Sequence, residues 1–207
     1  MMSTLKTPLK RAAVLLAALA IPAGCATKQV TRIDPDAVTD LSGRWNDTDS
    51  RLVANALIEQ SLSHEWARRY ASANGGQAPA VIVGDFANRS HEHIAVGTFV
   101  RDLEAAFISS GAVRVVASAD ERSEVRAERE DQQEHARAGT RARMAQELGA
   151  RYMLQGDIQT ISDEEGRERV MYYQIDARLV DLESNEKVWT GQHRIKKYIE
   201  RSRLGWE

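Results

Sequence analysis

The chain has a single cysteine, Cys25, among its 207 residues, so no disulfide can form within it and packing alone must hold the fold. Long apolar runs are missing too. The main one, Ala12 to Ile21, would span about 15 Å as a helix, and a bilayer core needs about 20 apolar residues. Basic charge is not in excess, with 28 Lys and Arg against 30 Asp and Glu. Phosphate binding needs a concentrated basic face, so a nucleic-acid partner is excluded. The sequence contains no G-x-S-x-G elbow, Walker loop, H-E-x-x-H pair or Rossmann glycine pattern. Internal repeats are absent as well. These absences leave a protein without cofactor, metal, small-molecule substrate or recognisable catalytic apparatus.

What is present begins at the amino terminus. Lys6, Lys10 and Arg11 precede the apolar run, and Ala23 and Gly24 follow it. That order is the pattern of a secretion signal. The residues Ile21-Pro22-Ala23-Gly24-Cys25 resemble the processing box of bacterial lipoproteins. The resemblance implies cleavage before Cys25, a thioether diacylglycerol on its sulfur, and a third acyl chain on the new amino group. Several chains anchor stably where one does not. An ordinary signal cut after Gly24, leaving a free thiol, is the alternative. Ala26 stands where lipoproteins of the inner membrane carry Asp, so the resemblance points to the outer membrane. The expected division is a signal peptide over 1–24, a lipidated cysteine and flexible tether over 25–40, and one globular domain over 41–207. Polar residues and Pro35 dominate Ala26 to Asp40. Such a stretch reaches about 50 Å fully extended and about 20 Å on average as a coil.

Periodicity places the elements of the domain. Asp47, Thr48, Asp49 and Ser50 offer helix caps. Val53, Leu57, Ile58, Leu62, Trp66 and Tyr70 then form one apolar stripe, which predicts a single helix ended by Gly75-Gly76. Ala80 to Phe86 reads as a buried strand and Asn88 to His93 as a polar loop. Val96, Phe99, Val100, Leu103 and Phe107 mark a helix closed by Gly111. Ala112 to Ala117 is a second strand, parallel to the first through a right-handed crossover. Asp120 to His135 is a charged, solvated helix, and Thr140 to Leu148 another helix. From Tyr152 the period becomes two. Strands Tyr152 to Ile161, around Met171 to Leu179, and Val188 to Ile199 form an antiparallel meander. The fold class is α/β, a mixed four- to five-stranded sheet packed with helices.

Among residues able to carry chemistry, His91-Glu92-His93 could present two imidazoles to a metal. A site needs three or four converging ligands, and His64, His135 and His193 are scattered, so a hydrated loop is preferred. Asp85 and Asp157 lie in strands and could form a carboxylate pair, but nothing supplies the sugar cleft that glycosidase chemistry needs. Trp45, Trp66 and Trp189 are read as core. Tyr172 and Arg178 fall opposite the apolar set of their strand. If helices cover only one side of the sheet, these two face a partner, because Tyr and Arg are enriched at interface hot spots. Covered core for Tyr172 and a surface ion pair for Arg178 are the alternatives.

Several blocks carry a family resemblance: residues 40–51 (Asp-Leu-Ser-Gly-Arg-Trp-Asn-Asp-Thr-Asp-Ser-Arg), 83–90, 131–134, 148–156 and 185–191. In that order they resemble the LpoB family of outer-membrane lipoproteins. The 83–90 and 148–156 blocks are shared more widely with the amino-terminal domain of TolB and with CsgG, which implies a TolB-like fold. The family resemblance implies a non-catalytic, outer-membrane-anchored protein with its domain in the periplasm. Its partner would be the regulatory domain of a class A penicillin-binding protein, which it activates. Asn88 and Arg89, in the second block, join Tyr172 and Arg178 as expected partner contacts. A CsgG-like accessory lipoprotein of an export or envelope assembly is the alternative. Replacing Cys25 by Ala is expected to move the protein from the membrane to the soluble periplasmic fraction; retention of Cys25→Ala in membranes would overturn lipidation.

Overall fold

The computed structural model describes residues 29–135 and 148–201. Every helix and strand described below lies in one compact unit that begins at Asp36. The expected helix over Thr140 to Leu148 falls almost wholly outside the described residues.

Helix α1 spans Asp47–Ser63. Its cap is Asn46, one residue before the expected candidates. The Asn46 side chain accepts from the Asp49 N–H at 3.0 Å, and the Asp49 carboxylate accepts from the Asn46 N–H at 3.0 Å. This reciprocal pair satisfies two of the otherwise orphaned amides at the helix start. The predicted single helix is broken at His64, whose backbone is extended, and α2 runs separately over Trp66–Ala73. The reason lies at the Ser61 carbonyl. It accepts from the His64 N–H at 3.2 Å and from the Trp66 indole at 2.8 Å, ending the ladder while burying the indole.

Strand β1 spans Ala80–Asn88, helix α3 Val96–Ser110, and Gly111 closes that helix with φ 63°. The second strand, β2, is only Arg114–Val115, much shorter than Ala112 to Ala117. It is an edge strand pairing β1 in parallel, as expected, over Ala80–Arg114 and Val81–Val115. Helix α4 spans Ala119–His135 and buries none of its side chains, in keeping with its charge. The long strands β3 (Tyr152–Glu165), β4 (Glu168–Asp181) and β5 (Lys187–Glu200) form the antiparallel meander. The order is β2-β1-β3-β4-β5, one mixed five-stranded sheet.

The period of two decides which face is covered. Met171, Tyr173, Ile175, Ala177 and Leu179 of β4 are buried with Leu154 and Ile158 of β3. They share one core with Val53, Leu57 and Ile58 of α1 and Phe99, Leu103 and Phe107 of α3. Phe86 stacks edge-on against Phe99 at 5.2 Å, Phe99 against Trp45 at 5.8 Å, and Trp45 against Tyr173 at 5.7 Å. Trp66 and Trp189 are buried and Trp45 packs at the core margin, so all three serve packing. A register shift between Val83 and Phe86 turns Phe86 into the core and leaves Asp85 exposed. Ala87, not Asp85, then pairs with Asp157, and the imagined carboxylate pair is not registered.

Phe86 also explains Gly156. A Cβ there would lie 2.2 Å from the Asp176 carbonyl oxygen and 2.5 Å from the Phe86 ring. Gly156→Ala is therefore expected to destabilise the domain by about 1–3 kcal/mol, as overpacking does. The check is a lower urea midpoint at unchanged slope.

Candidate functional site: the uncovered face of the sheet

The residues between the buried ones on β3, β4 and β5 make the opposite face. Cross-strand partners put Asp157, Asp176 and Gln192 in one row, with Gln159, Gln174 and Arg194 in the next. These side chains bond one another. Gln174 and Gln192 donate to the two oxygens of Asp176 at 2.8 and 2.7 Å, and Gln159 donates to Asp157 at 2.8 Å. Arg194 donates to Gln192, and Arg178 lies 3.9 Å from Asp157. The result is a hydrogen-bonded polar surface. Gln159, Gln174 and Arg194 each bond a neighbour two residues along their own strand, while Gln192 to Asp176 and Arg178 beside Asp157 link adjacent strands, so the side chains are held by one another.

Toward the far end apolar and aromatic side chains join charged ones on this face. Ile161, Tyr172 and Lys196 form one row, and Val170 pairs with Tyr198 in the next row of that kind. Ile161 and Tyr198 are 65% and 60% exposed, which no core-packing role explains. Tyr172 is half-buried, with its hydroxyl 3.4 Å from the Gln174 side chain. Tyr172 and Arg178 thus share this face. Asn88 and Arg89 do not join them in the same way. The Asn88 amide donates to the Glu92 carbonyl and its oxygen accepts from the Ser90 N–H and hydroxyl, so this side chain shapes its own loop. Arg89 is exposed beside it. The alternation of β4 puts Tyr172, Gln174, Asp176 and Arg178 on this face in the sequence itself, whereas Ile161, Gln192 and Tyr198 on the neighbouring strands are not singled out there. The signal was available, because β3 and β5 alternate with the same period as β4.

The His91-Glu92-His93 loop is hydrated only in part. Both histidines are exposed, but Glu92 turns inward. Its carboxylate accepts from the Tyr173 hydroxyl at 2.8 Å and from the Trp45 N–H at 3.3 Å. Burial, then the bond to the Glu92 carboxylate, pushes the Tyr173 phenol far above its ordinary range. Among the described residues no group of three or more His, Cys, Asp or Glu is placed to hold a metal. Cys25 lies outside the described residues.

A clasp of charges fixes the end of β5. The Lys197 ammonium donates to Asp49 at 2.6 Å, to Asp40 at 2.6 Å and to the Arg44 carbonyl at 3.2 Å. Asn46 donates to Asp40 at 2.7 Å, and Arg51 bonds Asp36 at 2.6 Å. Residues Asp36 to Asp40, given above to the tether, are therefore bonded to the domain. Gly43, at φ +67°, lies where a Cβ would sit 2.3 Å from the Ile199 side chain, so the segment passes directly over β5. Desolvation alone would lower the Lys197 pKa, but the bonds to Asp40 and Asp49 outweigh it and raise it. The same bond from Lys197 holds the Asp40 carboxyl below its usual value.

Among the described residues the architecture is a mixed-sheet α/β domain with helices packed on one face of the sheet and a largely polar set of side chains on the other. The chain belongs to the family described as peptidoglycan-synthase activator LpoB, whose family model matches residues 49–195. Among solved structures it is similar to the LpoB C-terminal domain from Escherichia coli, at 14% identity and a TM-score of 0.45, over 72% of this chain and 99% of that one. The NMR structure of E. coli LpoB is similar at 12% identity and a TM-score of 0.40, over 97% and 91%. Lipoprotein GNA1162 from Neisseria meningitidis is similar at 18% identity and a TM-score of 0.40, over 61% and 88%. No curated protein matches the chain.

The Asp49 and Lys197 side chains are 7% and 10% exposed. Lys197→Met leaves Asp49 buried without its cation, and the expected loss is about 3–5 kcal/mol. The clasp also sets the pH dependence. Asp40, lowered from 3.8, adds stability that is present above that value and lost as pH falls through its lower folded value. Lys197, raised from 10.5, adds stability that is complete below that value and lost as pH climbs through its higher folded one. Urea midpoints across pH should therefore show a neutral plateau falling at both ends, with both falls reduced in Lys197→Met.

Proposed function

We propose that this protein is a non-catalytic, outer-membrane lipoprotein that binds and activates a class A penicillin-binding protein from the periplasmic side. The observation that carries the reading is membership of the activator family over residues 49–195. The lipid anchor is Cys25, with 1–24 removed as a signal. Among the described residues no helix is long and apolar enough to cross a membrane. With Asp36 bonded to the domain, the sequence from Ala26 to Pro35 lies between the anchor and that bond, and a stretch of this length spans about 35 Å at most.

The contact surface in this reading is the uncovered face, centred on Tyr172 and Arg178 and extended by Ile161 and Tyr198. Its composition supports this: Tyr and Arg dominate interface hot spots, and exposed aromatic and aliphatic side chains gain most from desolvation. Asn88 and Arg89 lie at the margin, where Arg89 is the side chain left to contact a partner. Activation requires that this surface bind the active conformer of the synthase better than the inactive one. A polar sheet held rigid by its own side-chain bonds suits that role, because little is lost in ordering it on binding.

The test uses residues 26–207 with the class A synthases of the organism, reading complex formation and glycan polymerisation. The protein is expected to bind one synthase and raise its rate. Tyr172→Ala is expected to weaken binding about 30-fold, the effect of losing a hot spot of about 2 kcal/mol. No binding and no rate change with any of them would overturn the proposal.

A further inference from the structure

A second concave site lies away from the uncovered face. It is a cleft of about 710 Å³ between α2, the start of β3 and the start of β5. That volume is within the range of small-molecule sites, about 300–1,000 Å³. Its wall carries Tyr70, with Tyr152 and Trp66 buried behind it. Tyr70, half-exposed, is backed edge-on by Tyr152 at 5.8 Å, and Tyr152 by Trp66 at 5.2 Å. The Trp66 N–H is bonded to Ser61, so the ring set is locked.

Beside these rings stands Arg151. The buried Asp181 carboxylate takes its Nε and Nη2 at 2.9 and 2.7 Å, and Glu183 takes Nη1. The other oxygen of Asp181 accepts from the Glu183 and Ser184 N–H groups, so the guanidinium rests on a fixed turn. Arg69 on the rim is paired with Glu65 at 2.6 Å. Lys187 and Glu186 complete the rim. Arg151 and Arg69 are thus each bonded to carboxylates, and Lys187 and Glu186 bring one charge of each sign to the lining, so the cleft is not a concentrated cluster of unpaired cations of the kind a phosphate would need. What remains is the half-exposed Tyr70 ring with donors and acceptors of both signs around it.

We propose that this cleft binds a neutral saccharide, the sugar backbone of a glycan strand. A pyranose ring has an apolar C–H face that lies against the electron-rich face of an aromatic ring. Its rim of hydroxyl and acetamido groups needs both donors and acceptors, which Arg69, Lys187, Glu65 and Glu186 supply. The choice of an N-acetylated sugar rests on the activator reading above, since that reading places the domain beside peptidoglycan. The activity would be tethering: the domain holds a strand near the synthase it stimulates.

The experiment is an amide chemical-shift titration of residues 26–207 with tri-N-acetylchitotriose, with inorganic phosphate and a free stem peptide as comparison probes. Saturable shifts are expected at Arg69 to Asn74, Arg151, Tyr152 and Lys187. Tyr70→Ala is expected to weaken the trisaccharide about tenfold, some 1.4 kcal/mol. Lys187→Ala, at an exposed position that leaves the fold intact, is expected to weaken it less. Tyr172→Ala on the uncovered face should leave it unchanged. No saturable shift in the millimolar range, tighter binding of phosphate or stem peptide, or equal binding by Tyr70→Ala and Lys187→Ala to wild type would overturn the proposal. Synthase stimulation is measured on the same samples. Stimulation without sugar binding sinks only the cleft, and sugar binding without stimulation sinks only the activator reading.

Discussion

Asp49 is the residue on which the arrangement turns. One carboxylate closes the capping box of α1 and accepts the Lys197 ammonium of β5. It therefore joins the start of the first helix to the end of the last strand, elements that are far apart in sequence. A buried pair of this kind contributes modest net stability, because both charges lose their water. Its larger effect is on uniqueness. Few other placements of α1 over the sheet satisfy both bonds at once.

That pairing has a counterpart in Glu92. The Tyr173 hydroxyl sits on a fully buried side chain of β4; Glu92 accepts from it at 2.8 Å, and the Gly43 carbonyl lies 3.3 Å from the same oxygen. A phenol buried without a partner would cost more than the net gain of most hydrogen bonds. The loop after β1 and the segment before α1 are thus drawn to the same atom. Between them, Asp49 and Glu92 place the helices and loops on one side, and the other face of the meander is left to its own side chains.

The alternation in β4 was legible in the sequence because one face is buried almost completely, and a strict period of two follows from that. The helix over Val96 to Ser110 was legible for the same reason, with Gly111 as its stop. Other features were hidden where a tertiary bond competes with a local pattern. The stripe through Trp66 and Tyr70 continues the helical period, yet the Trp66 indole takes the Ser61 carbonyl and splits the helix. Glu92 sits in a polar run between two histidines, and nothing local marks it as an acceptor for a tyrosine 81 residues away. The bonds by which Asn88 closes a turn are likewise not marked by any local pattern. The cleft beside Tyr70 brings together residues from 64 to 188, a juxtaposition no period or spacing encodes.

The clasp around Lys197 also determines how the domain responds to mechanical load. A pull along the backbone upstream of Asp36 meets side-chain bonds before it meets any strand. The Arg51–Asp36 pair is partly exposed, and exposed pairs hold by about 1 kcal/mol or less, so it yields early. The Asp40–Lys197 bond is next, while the β4–β5 ladder stays paired. Releasing residues 36–44 would add about 30 Å of extensible chain. The entry to the domain is thus a compliant joint that lengthens under tension without unfolding the sheet.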